Sequence, residues 1–178
     1  MSTQIKIGGF GGQGVILSAY VFGTAAAIYD NKHATMTQIF GPEARGSACS
    51  AQVIISPDLI SYPYVSEPDI LVVMSDEAFR KFYPEMNKKN GILIYEQDKV
   101  NPEGIHEGVK AYSVPATRFA EELGKKLILN IVMVGFFTAI TELVTPEAMR
   151  KAIMDNVPEG TEDLNLKAFE RGYEYFAS

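Results

Sequence analysis

Gly9-Phe10-Gly11-Gly12-Gln13-Gly14 carries the spacing G-x-G-x-x-G. Glycines leave backbone N–H groups unhindered, and a helix beginning directly afterwards aims its positive end at the same point. The chemistry offered is anion binding, of a phosphate or a diphosphate. The same glycines also suit a tight turn that merely packs a helix against a strand, and spacing alone does not choose between the two. A dinucleotide site needs, in addition, an acid about 20 residues further on to hold ribose hydroxyls. That window holds His33, Ala34, Thr35 and Met36, with Asp30 just before the strand and Ile39 and Phe40, not an acid, at the expected strand end. NAD and FAD are therefore disfavoured.

A second loop, Gly41-Pro42-Glu43-Ala44-Arg45-Gly46, offers a cation. Arg45 suits an anion, and Glu43 would orient it or pair with another subunit. The plain alternative is a solvated ion pair on a surface loop. Cys49 stands among small and apolar residues and reads as core rather than nucleophile. His33 and His106 have no fixed partner in the sequence and read as surface residues. Ser75-Asp76-Glu77 and Glu96-Gln97-Asp98 follow apolar runs, where they either rim a site or cap helices. There is no nucleophile elbow, Walker lysine or H-E-x-x-H helix, so the chain is not expected to carry a complete catalytic apparatus.

These residues need a frame. Gln4–Gly8 alternates as a short strand, and Val15–Tyr29 has helical spacing with Val15, Ala19, Phe22 and Ala26 on one face. His33–Phe40 and Ala48–Ser56 read as strands joined by only seven residues, 41–47. A parallel crossover takes a dozen or more residues, so these two strands are expected to be antiparallel. Ile70–Met74 is apolar throughout, as in a strand covered on both faces. Further strands are expected at Gly91–Tyr95 and Val109–Val114, and helices at Glu77–Asn87, Ala116–Lys126 and Leu127–Glu142. Thr145-Pro146-Glu147 and Thr161-Glu162-Asp163 open two more helices. If strand one, helix and strand two form a right-handed crossover, both loops meet at one sheet edge. The expectation is a three-layer α/β fold over a single domain, 1–178. Its sheet is mixed but mostly parallel, with helices on both faces, a Rossmann-like start and an antiparallel third strand.

Composition narrows the chemistry. The 178 residues are 47% hydrophobic and 21% charged, as in an ordinary globular chain, and the net charge of -6 argues against a broad nucleic-acid surface. One cysteine makes no internal disulfide and does not hold an iron–sulfur cluster alone; two histidines make no multi-histidine metal site. Any redox metal is expected on another chain. Leu127–Ile140 is too short for a span of about 20 residues. No membrane contact and a cytoplasmic location are expected.

Taken together, IKIGGFGGQGVILSA, TQIFGPEARGSACSAQVIIS and Pro68-Asp69-Ile70-Leu71-Val72 closely resemble the gamma subunit of 2-oxoacid:ferredoxin oxidoreductases. Asn130–Gly135 and the terminal NLKAFERGYE are similar too, so the likeness runs from about Ile5 to Phe176. It is nearest to the 2-oxoglutarate type, with the pyruvate, branched-chain and indolepyruvate types open. The departures are Phe40, where tyrosine is common, and Ser47, where glycine is common. The resemblance implies oxidative decarboxylation of a 2-oxoacid to acyl-CoA, with electrons passed to ferredoxin. It places thiamine diphosphate and magnesium on alpha and beta subunits and iron–sulfur clusters on partner chains such as a ferredoxin-like delta subunit. A dimer of heteromers is the family's implied assembly. This chain would contribute to assembly and to coenzyme A binding, with Gly9, Gly11, Gly12, Gln13 and Gly14 facing the phosphates and Arg45 near the anion or a subunit contact. A stand-alone nucleotide-binding enzyme and a purely structural assembly module are the alternatives.

Overall fold

The computed structural model describes residues 1–39 and 48–177. Six strands form one sheet: β1 (Thr3–Phe10), β2 (His33–Ile39), β3 (Ala48–Ser56), β4 (Ile70–Val73), β5 (Ile92–Glu96) and β6 (Lys110–Val114). Their order is β2-β3-β1-β4-β5-β6. β3 is antiparallel to both β1 and β2, while β1, β4, β5 and β6 are parallel. The short connection after β2 thus returns the chain antiparallel, as its length requires. β1 and β2 point the same way with β3 between them, so both end at the same sheet edge.

Helix α1 (Val15–Thr24) follows the glycine turn and passes into a π-helical turn at Ala25–Tyr29. Val15, Ala19, Phe22 and Ala26 are all buried, as their spacing requires. α2 (Asp76–Phe82) is shorter than the expected Glu77–Asn87. Pro84 lacks the N–H that would continue the α-helical ladder, so the chain, still right-handed at Tyr83, tightens into a 3-10 turn at Tyr83–Glu85 and becomes extended at Met86. α3 (Ala116–Glu122) also stops early, because Gly124 adopts φ +86 and ends it, and a 3-10 turn at Lys126–Ile128 leads into α4 (Leu129–Thr141). α5 (Pro146–Asn156) begins at Thr145, whose hydroxyl accepts from Ala148 N at 3.2 Å; α6 (Glu162–Ala177) closes the fold.

The two faces of the sheet are covered unequally. Ile5, Ile7, Val53, Val72 and Ile94 face a core built from α1 and α3 to α6, whereas Leu71, Val73 and Leu93 face only α2 and the turns beside it. The larger core depends on a close crossing of α4 and α6. At Gly135 a Cβ would collide with the Phe169 carbonyl, and at Gly172 with the Val132 carbonyl. Each helix supplies the glycine that admits the other's backbone.

Candidate functional site

The chain moves from β1 towards β2 on one side of the sheet and later enters β4 on the other. β1 and β4 therefore flank a topological switch point, where open α/β sheets hold ligands beyond the strand ends. The glycine turn lies there. Gln13 N donates to Phe10 O at 3.1 Å, closing the turn on itself. The Gln13 side chain locks it: Oε1 accepts from Phe10 N at 2.6 Å, and Nε2 donates to the Met74 carbonyl beyond β4 at 3.0 Å. Gln13 thus acts as a strut across the crevice, and this amide geometry is what it brings to the site.

The glycines divide into two kinds. At Gly9 a Cβ would lie 2.7 Å from Gln13 Oε1 and 3.0 Å from Val15 Cγ2, and at Gly14 it would strike the Asn130 amide. Gly14 also adopts φ +75. These two serve the packing of the turn. Among the described residues, nothing lies within 4 Å of a Cβ at Gly11 or Gly12, and both are exposed. Gly12 adopts φ +90, a left-handed conformation that glycine takes without strain.

Behind the turn, α1 starts at Gly14 with no side-chain cap and no acid in its first turn. The same is true of α4. Asn130, the second residue of α4, donates from Nδ2 to Gly14 O at 3.3 Å, and Ser18 Oγ donates to the same carbonyl at 3.0 Å. The uncapped N-terminus of α1 therefore gives a chain of net charge -6 a local preference for an anion, while α4 continues out of a 3-10 turn in which the Lys125 and Lys126 carbonyls accept from Ile128 N and Leu129 N. Asn130 was not among the expected site residues; its signal is an amide at the head of an otherwise apolar run. Lys81 is the second such residue. Its Nζ approaches Ala48 O at 3.5 Å, and Ala48 pairs with Phe10 of the turn.

Arg45 and Glu43 lie outside the described residues. The chain on either side is fixed at this edge, however. β2 ends at Ile39, opposite Ser50, and β3 begins at Ala48, opposite Phe10. Ser75 and Glu96 act as caps. Ser75 Oγ accepts from Ala78 N at 3.2 Å and starts α2. Glu96 is fully buried; its carboxylate accepts from Thr117 N at 3.1 Å, at the start of α3, and from Asp98 N at 2.9 Å. The Asn101 N–H, followed by Arg80, holds the Asp76 carboxyl below the usual range. His33 is exposed on β2, and His106 Nδ1 accepts from Gly108 N at 3.1 Å.

Cys49 packs at the margin of the main core, and burial pushes its thiol up, an effect only partly opposed by its own backbone N–H and by Lys81. The thiolate is the reacting form, so a raised pKa lowers its fraction at pH 8. Alkylation of Cys49 by iodoacetamide at pH 8, followed by mass spectrometry, is expected to be several-fold slower than that of a free cysteine. An equal rate would contradict the burial. Among the described residues, no three His, Cys, Asp or Glu side chains are grouped to hold a metal, and no helix is long and apolar enough to cross a membrane.

The pyruvate ferredoxin/flavodoxin oxidoreductase family model matches residues 4–175. The chain belongs to this family. It is 46% identical over 176 residues to the 2-oxoglutarate synthase subunit KorC of Methanocaldococcus jannaschii, covering 98% of this chain and 94% of that one. The gamma subunit of a keto/oxoacid ferredoxin oxidoreductase from Geobacter sulfurreducens superposes with a TM-score of 0.88 at 32% identity, covering 98% of this chain and 95% of the other. The fold also recurs, at 22% identity and a TM-score of 0.87, in the 2-oxoglutarate:ferredoxin oxidoreductase of Magnetococcus marinus. That structure holds 2-oxoglutarate, coenzyme A and succinyl-CoA, and the likeness covers 97% of this chain but 30% of the longer one.

Proposed function

We propose that this chain is the gamma-type subunit of a 2-oxoglutarate:ferredoxin oxidoreductase, working in the cytoplasm as one domain, and that its glycine turn receives the diphosphate of coenzyme A. The carrying observation is the pairing of open backbone at Gly11 and Gly12 with the uncapped N-terminus of α1 directly after them. A diphosphate needs donors and positive potential without a covering side chain, and this turn offers both. Coenzyme A needs no ribose-reading acid at the dinucleotide position, which agrees with the residues at the end of β2. Arg45, which lies outside the described residues, would add a charge-assisted contact to the same anion.

The division of labour follows from what the chain has. With one cysteine and no metal cluster among its described residues, it suits the acceptor side of the reaction. Alpha and beta subunits would hold thiamine diphosphate with magnesium, a ferredoxin-like delta subunit the iron–sulfur clusters, and ferredoxin would take the electrons. Decarboxylation of 2-oxoglutarate and transfer of the succinyl group to the thiol then release carbon dioxide, a proton and two electrons. The 46% identity to a relative named for 2-oxoglutarate supports that oxoacid.

Reconstitution of the complex from its purified subunits tests this reading. Ferredoxin reduction is expected with 2-oxoglutarate and coenzyme A, at least about tenfold faster by kcat/KM than with pyruvate or 3-methyl-2-oxobutanoate. It should be lost when this chain is left out. Equal use of pyruvate would overturn the substrate, and full coenzyme A-dependent turnover without the chain would overturn its role.

A further inference from the structure

Residues 57–69 join β3 to β4 at the end of the sheet opposite the glycine turn. Their backbone is tied down. Ser66 N and Glu67 N donate to Gln4 Oε1 at 2.9 and 3.4 Å, and Val65 N donates to Gln52 Oε1 at 3.2 Å. Asp58 N donates to Ser56 Oγ at 3.0 Å, and Asp69 Oδ2 accepts from Gln4 N at 2.9 Å. Pro57, Pro63 and Pro68 stiffen the segment further. From this fixed base Leu59, Tyr62 and Tyr64 project, at 83%, 66% and 56% exposure, with the two tyrosine rings 5.5 Å apart. A largely polar cavity of about 390 Å³ opens beside them, lined among others by Ser56, Asp58, Ser61 and Ser66.

The segment's own charges have one sign, with the Met1 amine beside Ser2 of the cavity lining and His33 paired with Ser56 at its edge. From Ala48 to Phe79 the sequence contains no lysine, arginine or histidine, while Asp58, Glu67 and Asp69 fall within the segment itself. Lys6, the nearest strand lysine, is buried, pairs with Glu85 and lies 4.9 Å from the Phe82 ring centroid. Lys88 and Lys89 belong to the turn before β5, on the far side of Asp69 in the strand order. Exposed tyrosines on an ordered backbone, flanked by carboxylates, attract guanidinium and ammonium groups through the ring faces and the charges together. Aromatic anchors held in place before contact lose little entropy on binding.

We propose that Leu59, Tyr62 and Tyr64, with Asp58 and Glu67, form a docking surface for a Lys/Arg-bearing segment of a different subunit of the oxidoreductase complex. A second copy of this acidic face would bring like charges together, which disfavours self-association here. The position at the far end of the sheet leaves the glycine turn free while the chain is held. The proposal rests on the reading above only in taking the chain to work within a complex.

The test uses the co-expressed, purified complex. With Tyr62→p-benzoylphenylalanine, irradiation is expected to link this chain to a Lys/Arg-rich segment of another subunit, identified by mass spectrometry. Asp58→Lys with Glu67→Lys, and separately Tyr62→Ser with Tyr64→Ser, should each weaken assembly at least about tenfold, with the melting temperature of the isolated chain unchanged. Charge reversal should also remove much of the salt dependence of assembly. A link to a second copy of this chain, a link to a segment without basic residues, or unaltered assembly in both double variants would overturn the proposal. The KM for coenzyme A, governed from the opposite end, is expected to stay the same in whatever complex the variants form. Loss of this docking surface and loss of the coenzyme A reading are thus separately visible.

Discussion

Replacing either Gly135 or Gly172 with alanine is expected to destabilise the chain, although alanine is the better helix former by about 1 kcal/mol. The added methyl at Gly135 meets the Phe169 carbonyl, and the one at Gly172 meets the Val132 carbonyl. A backbone carbonyl does not swing aside as a side chain does, so α4 and α6 must separate. That loosens a core in which Ile131, Val132, Phe136 and Phe169 are almost fully buried. Overpacking of this kind costs about 1–3 kcal/mol and sometimes more, so the steric term outweighs the propensity gain. In thermal melts of the purified chain, a loss of about 2 kcal/mol lowers Tm by roughly 4–8 °C. Gly23 in α1 supplies the control, because nothing lies within 4 Å of a Cβ there. Gly23→Ala should leave Tm unchanged or raise it. If all three alanines behave alike, the close crossing of α4 and α6 is wrong.

A larger effect is expected at Gly14. Valine there would adopt a left-handed conformation at φ +75, costing about 1–2 kcal/mol. Its Cβ would also fall 2.5 Å from Asn130 Cγ, and displacing that buried amide adds about 1–3 kcal/mol. The expected total of about 2–5 kcal/mol corresponds to a fall in Tm of roughly 4–20 °C. Gly14→Val and Asn130→Ala should not be additive, because alanine at 130 removes the group that the valine strikes. The double variant is expected to melt above the value obtained by adding the two losses. Strict additivity would show that the turn and α4 are not in contact.

These two glycine sites mark what the sequence can and cannot reveal. The turn at Gly9–Gly14 was legible because strand, turn and helix are consecutive, and the antiparallel β3 followed from the shortness of residues 41–47. The pairing of Gly135 with Gly172 was not, since each glycine looks like an ordinary interruption until its partner helix is placed. Asn130 was visible as an isolated amide in an apolar run, but its partner Gly14 lies far back in the chain. Periodicity gave each helix an apolar side without saying which face of the sheet it covers. Hence the crowding of α1 and α3 to α6 on one face emerges only from the structure. Helix ends were misjudged where one residue overrides a continuing pattern, as Pro84 does after α2 and Gly124 after α3. Ser75 and Glu96 show the reverse: polar residues at strand ends that looked suited to a site are taken up in starting α2 and α3.

Gly11 separates binding from folding, because a Cβ there meets nothing within 4 Å among the described residues. Coenzyme A should be titrated calorimetrically into the assembled complex, with the native chain and with Gly11→Val. A valine at the open backbone blocks the approach of the diphosphate. The dissociation constant is therefore expected to rise at least about tenfold, a loss of about 1.4 kcal/mol, while Tm and the KM for the 2-oxoacid stay unchanged. An unchanged dissociation constant in a fully assembled complex would contradict the assignment of the glycine turn to coenzyme A.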